Sequence, residues 1–388
     1  MKINTLLFPY FQPIISSASG EIAGYEALAR QRDLHGNVKS AGELFLHPDI
    51  SDHQLMEWDR CVRRQALQKF SKLNDNTYLT LNISAAWIDY IDDFNHLPTL
   101  LMLDEFEIDR SSVIIEITET HSNPCKLLKA VEMYRKHGLK IAIDDFGAGF
   151  SQLERVMAIQ PDIIKLDMQL FQSAARGGVE TDVVHLLSRL AKRTGCRIVC
   201  EGVETDEDFL FGLSCGAQYM QGYLFSPATA DFQEPKSYYP QIATLRDTFL
   251  SRALETQTYK NQFNEQIHTL ISYLQKEVTQ SDFSLEKLPT ELFKNSGVLH
   301  FYICDRHGNQ TSPNYNFSNN TWSSDSKQIG FNWAWRPYFY EVLSFEPNNR
   351  IVTSERYRDF STDMLCKTFA LRLDATRVLL VDVVADWT

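Results

Sequence analysis

The sequence predicts an α/β chain whose N-terminal part closes into a TIM-like (β/α)8 barrel, followed by a long helix and a small α/β domain. Three observations carry this prediction. From residue 6 to about 225, short β-rich runs alternate with longer amphipathic stretches of period near 3.6. Eight such runs fit in this span, the strand number of a closed barrel. The runs repeatedly end on polar or acidic residues, at the rim where such a barrel collects its functional groups.

In order, the strand candidates are 8–15, 21–28, 78–83, 113–117, 140–143, 163–166, 197–199 and 219–221. Helical stretches lie between them at 54–72, 125–136, 153–158, 179–193 and 206–213. After Pro227 the pattern changes, and the polar, proline-bounded segment 231–240 marks a domain edge. Residues 243–278 form one long polar helix with Leu245, Phe249, Leu254, Phe263, Ile267, Leu270 and Leu274 as its apolar stripe. The remainder holds strands at 298–304, 367–373 and 377–384 and a turn at 305–309. The expected domains are residues 1–236, a connecting helix over 237–282 and a C-terminal domain over 283–388.

A formal net charge of -12 argues against general affinity for DNA, RNA or an anionic membrane surface, so an anionic ligand needs a local device such as metal ions. Cys61, Cys125, Cys196, Cys200, Cys215, Cys304 and Cys366 are scattered without a CxxC pair, which fits buried thiols in a reducing cytoplasm. The first 15 residues are apolar, but Pro9, Gln12 and Pro13 interrupt them and no small-residue cleavage motif follows. They are expected to form the first strand, and no stretch has the length of a membrane span.

The polar residues at strand ends are Glu26, Asn82, Glu116, Asp144, Asp145, Lys165, Glu201 and Gln221. Singly, an acid at a strand end is more often a helix cap or a solvated side chain. Together, several carboxylates around one lysine in a concave site would repel one another severely unless cations intervene. Oxygen ligands with one amide and no Cys or His favour Mg2+ or Mn2+ over structural zinc. Adjacent Asp144 and Asp145 offer one carboxylate to each of two ions, an arrangement suited to phosphodiester hydrolysis.

At these residues the chain resembles the EAL-domain family of cyclic di-GMP phosphodiesterases. The signature stands at Glu26-Ala27-Leu28 within YEALAR, and further similar segments follow in the family's order. They are QPI at 12–14, LNIS at 81–84, IEITE at 115–119, DDFGAGFSQL at 144–153, IIKLD at 163–167, EGVET at 201–205 and QGYLF at 221–225. One triplet alone carries nothing; this ordered set carries the resemblance. It implies a barrel with one antiparallel strand, two Mg2+ or Mn2+ ions, and Ca2+ as an occupant that does not support turnover. Glu26, Asn82, Glu116 and Asp144 would hold one ion, and Asp144, Asp145 and Glu201 the second. Glu201 would also be the general base, with Lys165 and Asp145 beside it in the chemistry. Gln12, Glu26, Leu28, Arg30, Asn82, Asp167 and Gln221 would contact the cyclic dinucleotide. Glu119 and Glu204 would brace the metal loop. The implied product is linear pGpG and the implied assembly a homodimer. A different class of function, a cyclic di-GMP receptor without turnover, is the alternative, and a barrel active only when the tail is engaged is a third reading.

The metal-loop segment departs from the family's DDFGTGYSSL at Ala148, Phe150 and Gln152, losing two hydroxyls at positions that supply no metal ligand. In the tail, NWAWRPYFYE at 332–341 reads first as core or interface, given its aromatic density. The functional reading is that the tail resembles a PAS-like or Cache-like sensory domain, an arrangement similar to the YkuI type of EAL protein. Trp335, Arg336, Tyr340, Tyr357 and Asp382 would then line a pocket for a small anionic or zwitterionic ligand.

Overall fold

The structure, a computed structural model, describes residues 7–33, 35–45, 47, 49–118, 123–148, 152–347 and 350–385, without the side chains of 85, 86, 118 and 152. Glu119 and Phe150 lie outside the described residues, as does the side chain of Gln152. The chain divides into two compact units, Met1–Arg252 and Ala253–Thr388. The boundary falls within the helix Tyr239–Val278 rather than at its edges.

In the first unit, β1 (Leu7–Ser16), β2 (Ile22–Arg32), β4 (Tyr78–Ser84), β5 (Val113–Thr118), β6 (Lys140–Phe146), β7 (Ile163–Leu166), β8 (Arg197–Cys200) and β9 (Tyr219–Met220) form the expected barrel. All its neighbours pair in parallel except β1, which runs antiparallel to both β2 and β9 and closes the ring. A short β3 (Val38–Ser40), not expected from sequence, pairs with the outer end of β2. Parallel neighbours require crossovers, and the helices Asp52–Phe70, Pro124–Lys136, Val179–Thr194 and Asp206–Cys215 supply them. Each buries one stripe, such as Leu127, Ala130, Val131 and Tyr134, against the strands' outer faces.

The barrel interior is built in layers. Ile14, Ile114, Ala142, Ile163 and Val199 form one apolar cluster inside the ring. Side chains two residues apart on a strand share a face. The next interior positions along β5, β6 and β7, and just past the end of β8, are therefore Glu116, Asp144, Lys165 and Glu201. On β1, which runs the opposite way, the corresponding residue is Gln12, directly paired with Glu26 of β2. An apolar floor thus carries a polar layer at one mouth.

The second unit is an antiparallel sheet in the order β12 (Thr321–Asp325), β11 (Asn314–Ser318), β10 (Val298–Asp305), β16 (Arg377–Val384), β15 (Leu365–Arg372), β13 (Ile351–Thr353), with β14 (Tyr357–Arg358) also on β15. The three long strands match the sequence reading, and the four short ones are additional. One face packs Phe301, Phe369 and Val381 against Ile267, Ile271 and Leu274 of the long helix. The other packs Tyr302, Ala370 and Leu380 against Tyr338, Phe339 and Val342 of the helix Pro337–Leu343. Among the described residues no helix is long and apolar enough to cross a membrane.

Candidate active site

Lys165 is the centre of the polar layer. Its side chain is 1% exposed, and its Nζ lies 2.7 Å from Glu201 Oε1, 2.9 Å from Asp144 Oδ1, 3.1 Å from Glu26 Oε2 and 3.2 Å from Glu116 Oε1. Four strands deliver these acids to one ammonium because each places it at the same interior level. Glu26 is not at a strand end, since β2 continues to Arg32; it stands where parallel pairing with β4 ends, at Ala27. Both its oxygens are engaged. Asn82 Nδ2 donates to Oε1 at 2.8 Å, and Gln221 Nε2 and Lys165 Nζ donate to Oε2 at 2.7 and 3.1 Å. Gln221 also donates to Gln12 Oε1 at 3.1 Å, and Gln12 Nε2 donates to the Ser226 carbonyl at 3.2 Å.

Strict alternation would send Asp144 and Asp145 to opposite faces of β6. A break in register between Ile143 and Phe146, with Asp145 at φ 52°, removes that conflict. The left-handed residue costs on the order of 1 kcal/mol, a cost Asp tolerates better than most residues. Carboxylate oxygens of Asp144, Asp145 and Glu201 consequently lie within 4.8 Å of one another, as do those of Glu26, Glu116 and Asp144. Glu201 follows β8 directly.

The electrostatics are those of a crowded anionic site. Burial raises Glu201 to about 8, Asp144 and Glu26 adding to the rise and Lys165 opposing it. Burial likewise raises Asp145 to about 6, with Asp144 adding to it. Glu116, fully buried, is pushed well above the usual carboxylate range. Burial also acts on Glu26, but Lys165, Gln221 and Asn82 outweigh it and hold the group below its ordinary value. Burial disfavours the Lys165 ammonium, yet the four acids hold it well above the ordinary lysine value.

This donor set fits divalent cations. With all five carboxylates ionised, one ammonium would leave four negative charges, the charge of two divalent ions. Glu116 Oε2, Asn82 Oδ1 and Gln221 Oε1 are buried oxygens without a hydrogen-bond donor, and all three belong to this layer. Buried acceptors are rarely left so, and oxygen ligands of this kind suit Mg2+, Mn2+ or Ca2+.

A cavity of about 390 Å³ opens above the layer, lined by Gln12, Glu26, Leu28, Asp144, Asp145 and Glu201, with Glu204, Gln221 and Tyr223 at its edge. A larger one of about 640 Å³ shares Leu28 and Asp145 and extends past Arg30, Asn82, Phe45 and Trp87. Glu26, Leu28 and Arg30 follow one another at period two along β2, leading out of the barrel. Asp167 is placed differently from the other sequence-selected residues: its Oδ1 accepts the Gln169 and Leu170 amides at 2.9 and 3.2 Å, capping the helix Met168–Ala175. Glu204 is exposed, and its amide donates at 3.1 Å to Asp208 Oδ2, the carboxylate that forms a capping box with Thr205. Ala148 is exposed beyond the Asp144-Asp145 bulge. Tyr223, exposed at the rim, and Ser226, which holds Gln12, were not singled out from sequence.

In the second unit Arg336, Tyr357 and Asp382 come together, with Trp335 stacked on Arg336 although 62% exposed, whereas Tyr340 is 59% exposed. Asp382 is buried and 2.9 Å from His300 Nε2, a partner the sequence reading missed.

Residues 2–228 match the EAL domain model, and residues 249–387 match the model of the EAL-domain associated signalling protein domain. The chain is 27% identical to the uncharacterised EAL-domain containing protein YkuI of Bacillus subtilis, over 97% of this chain and 94% of that protein. It is similar to the crystal structure of YkuI in complex with substrate c-di-GMP and calcium, with a TM-score of 0.86 and 25% identity over 99% of this chain and 97% of the other. It is also 30% identical to the cyclic di-GMP phosphodiesterase RocR of Pseudomonas aeruginosa, over 56% of each chain. Klebsiella pneumoniae BlrP1, solved with manganese and cy-diGMP, matches at a TM-score of 0.51 and 28% identity over 57% of this chain and 56% of that one. With well over half its length matched by the model, the chain belongs to the EAL-domain family.

Proposed function

We propose that this chain is a metal-dependent phosphodiesterase that opens cyclic di-GMP to linear pGpG. The observation that carries the reading is the polar layer itself, in which Lys165 sits within 3.2 Å of Glu26, Glu116, Asp144 and Glu201 while Asp145 turns into the same mouth. A relative solved with substrate c-di-GMP and calcium, and relatives named as cyclic di-GMP phosphodiesterases, support the choice of substrate.

Glu26, Asn82, Glu116 and Asp144 would hold one Mg2+ or Mn2+, and Asp144, Asp145 and Glu201 the second. When bound, the two ions supply Lewis acidity to the scissile phosphate and to the attacking water. The protein's own groups do the rest. Glu201, the most solvent-near acid on Lys165 at 17% side-chain exposure, takes a proton from the water as its oxygen attacks phosphorus. The bond from phosphorus to the 3′ oxygen breaks, and that oxygen leaves as a hydroxyl with a proton from solvent water, to which Glu201 in turn releases the proton it took. Lys165 offsets charge on the phosphate, and its four partners prevent it from swinging away. Gln221 and Asn82 orient Glu26 through hydrogen bonds of 2.7 and 2.8 Å. Leu28 and Arg30 line the route out of the barrel for the rest of the dinucleotide.

The test incubates full-length protein with cyclic di-GMP and Mg2+ or Mn2+ and follows pGpG by chromatography, with Glu201→Gln as the control. Product from the wild type and not from the variant is expected. Tight binding without product in either metal would move the chain to the receptor reading.

A further inference from the structure

The second unit contains an arginine that the barrel's chemistry does not use and that no carboxylate compensates. The Arg336 guanidinium is stacked at 4.3 Å from the ring centroid of Trp335 and at 4.3 Å from that of Tyr357, with Phe360 at 5.8 Å. Stacking satisfies its faces but not its in-plane N–H groups. Its Nε is inaccessible and without an acceptor, and among the described residues the guanidinium forms no hydrogen bond or ion pair.

The two nearby acids are committed elsewhere. Asp382 Oδ1 accepts the hydroxyls of Tyr357 and Thr368 at 3.0 and 2.6 Å, and its Oδ2 lies 2.9 Å from His300 Nε2. Asp359 Oδ2 accepts the amides and hydroxyls of Ser361 and Thr362 between 2.6 and 3.0 Å, while its Oδ1 lies 3.6 Å from His300. His300, Asp382 and Thr368 are direct cross-strand neighbours on β10, β16 and β15, so the sheet itself holds this closed network. Both acids are thus engaged with other groups, and among the described residues the Arg336 guanidinium has no acceptor.

We propose that Arg336 is the anchor of a binding site for a small organic carboxylate, received by the guanidinium edge between Trp335 and Phe360. A guanidinium held flat presents two parallel N–H donors that match the two oxygens of a carboxylate. Trp335 and Phe360 are 62% and 66% exposed, giving a flat apolar body somewhere to lie beside the charge. Asp382 already accepts three donors inside the network, so the charge that draws a ligand here is the guanidinium, which calls for an anion. The proposal takes the anionic side of the expectation drawn from sequence.

The experiment titrates the full-length chain with acetate, malonate and benzoate, and with inorganic phosphate at equal ionic strength. It follows thermal unfolding in wild type, Arg336→Lys and Arg336→Ala. The expected result is a rise of roughly 2–4 °C with at least one carboxylate near saturation, halved or more in Arg336→Lys and absent in Arg336→Ala. Protection of Arg336 from phenylglyoxal by the same carboxylate, read by mass spectrometry on the wild type, is expected alongside. It remains decisive if Arg336→Ala does not fold. No shift with any carboxylate, a shift of equal size in Arg336→Ala, or an equal shift with phosphate would overturn the assignment. These readouts do not involve cyclic di-GMP, so they stand or fall apart from the barrel's activity.

Discussion

Lys165 Nζ and Glu201 Oε1 are 2.7 Å apart at the mouth of the barrel, the shortest of the four contacts the ammonium makes with acids. The pair joins the group proposed to accept the water's proton to the one that offsets phosphate charge. Replacing Glu201 by Gln keeps the side chain's shape and a polar contact to its neighbours but removes the base. Turnover to pGpG is expected to fall by about 100-fold or more. The Kd for cyclic di-GMP, measured by calorimetry with Ca2+ present, should change by less than about tenfold. A large loss of binding with the residual kcat unchanged would contradict this division of roles.

The same acids predict proton release on metal loading. Burial raises Glu201 to about 8 and Asp145 to about 6, with Asp144 contributing to both, so the metal-free site holds protons near neutral pH. Cations favour the ionised forms and expel those protons. Titrating chelated protein with Mn2+ at pH 7 in two buffers of different ionisation enthalpy should give release of about one proton or more per chain. The number should decline as pH is raised past 8, and no buffer dependence at pH 7 would contradict the protonated metal-free site.

Much of this site is legible in the sequence because strand geometry repeats. An apolar residue followed two places later by a polar one recurs as Ile114 and Glu116, Ala142 and Asp144, Ile163 and Lys165, and Val199 and Glu201. Period two alone places those four polar residues on one interior face. The joint use of Asp144 and Asp145 is not legible in this way, since it depends on a bulge that breaks the alternation. Asp167, a ligand contact only by family resemblance, has its Oδ1 on two amides at the start of the helix Met168–Ala175, a cap that the sequence reading did not include. In the second unit, β11 and β12 escape notice because their sequences, NYNFS and TWSSD, are largely polar and lie at the sheet's edge. The pairing of His300 with Asp382 joins residues 82 apart, which no local pattern reports.

Backbone proximity at the rim makes one glycine decisive. A Cβ at Gly222 would stand 2.1 Å from the Val203 carbonyl oxygen and 2.3 Å from its amide nitrogen, both backbone atoms that cannot rotate away. The Val203 amide donates to the Gln221 carbonyl at 3.1 Å, so displacement would move Gln221 off Glu26. Gly222→Ala is expected to cost more than about 2 kcal/mol and lower the melting temperature by several degrees. Gly36→Ala, with nothing within 4 Å of the added atom, should cost about 1 kcal/mol through its φ of 85° alone. Equal melting temperatures for the two variants would count against the steric account.

His300 makes the second unit's stability depend on pH in the direction opposite to that of a paired acid. The imidazole is buried, which disfavours its charge, but the Asp382 hydrogen bond and the charges of Asp382 and Asp359 outweigh burial and raise its pKa above 6.5. A group raised on folding contributes its full stabilisation below its unfolded value, near 6.5, and loses it as pH climbs through the folded value. Tyr302 and Tyr357 also face this network, and burial holds both protonated well above the ordinary tyrosine value, so neither titrates in that window. Calorimetric unfolding of the full chain between about pH 6 and 9 should show the second unit's transition falling as pH rises. In His300→Gln the transition should start lower and lose most of that slope, because a neutral amide keeps one hydrogen bond to Asp382 but leaves no charge to titrate. A slope of the same size in the variant would mean that another group carries the dependence.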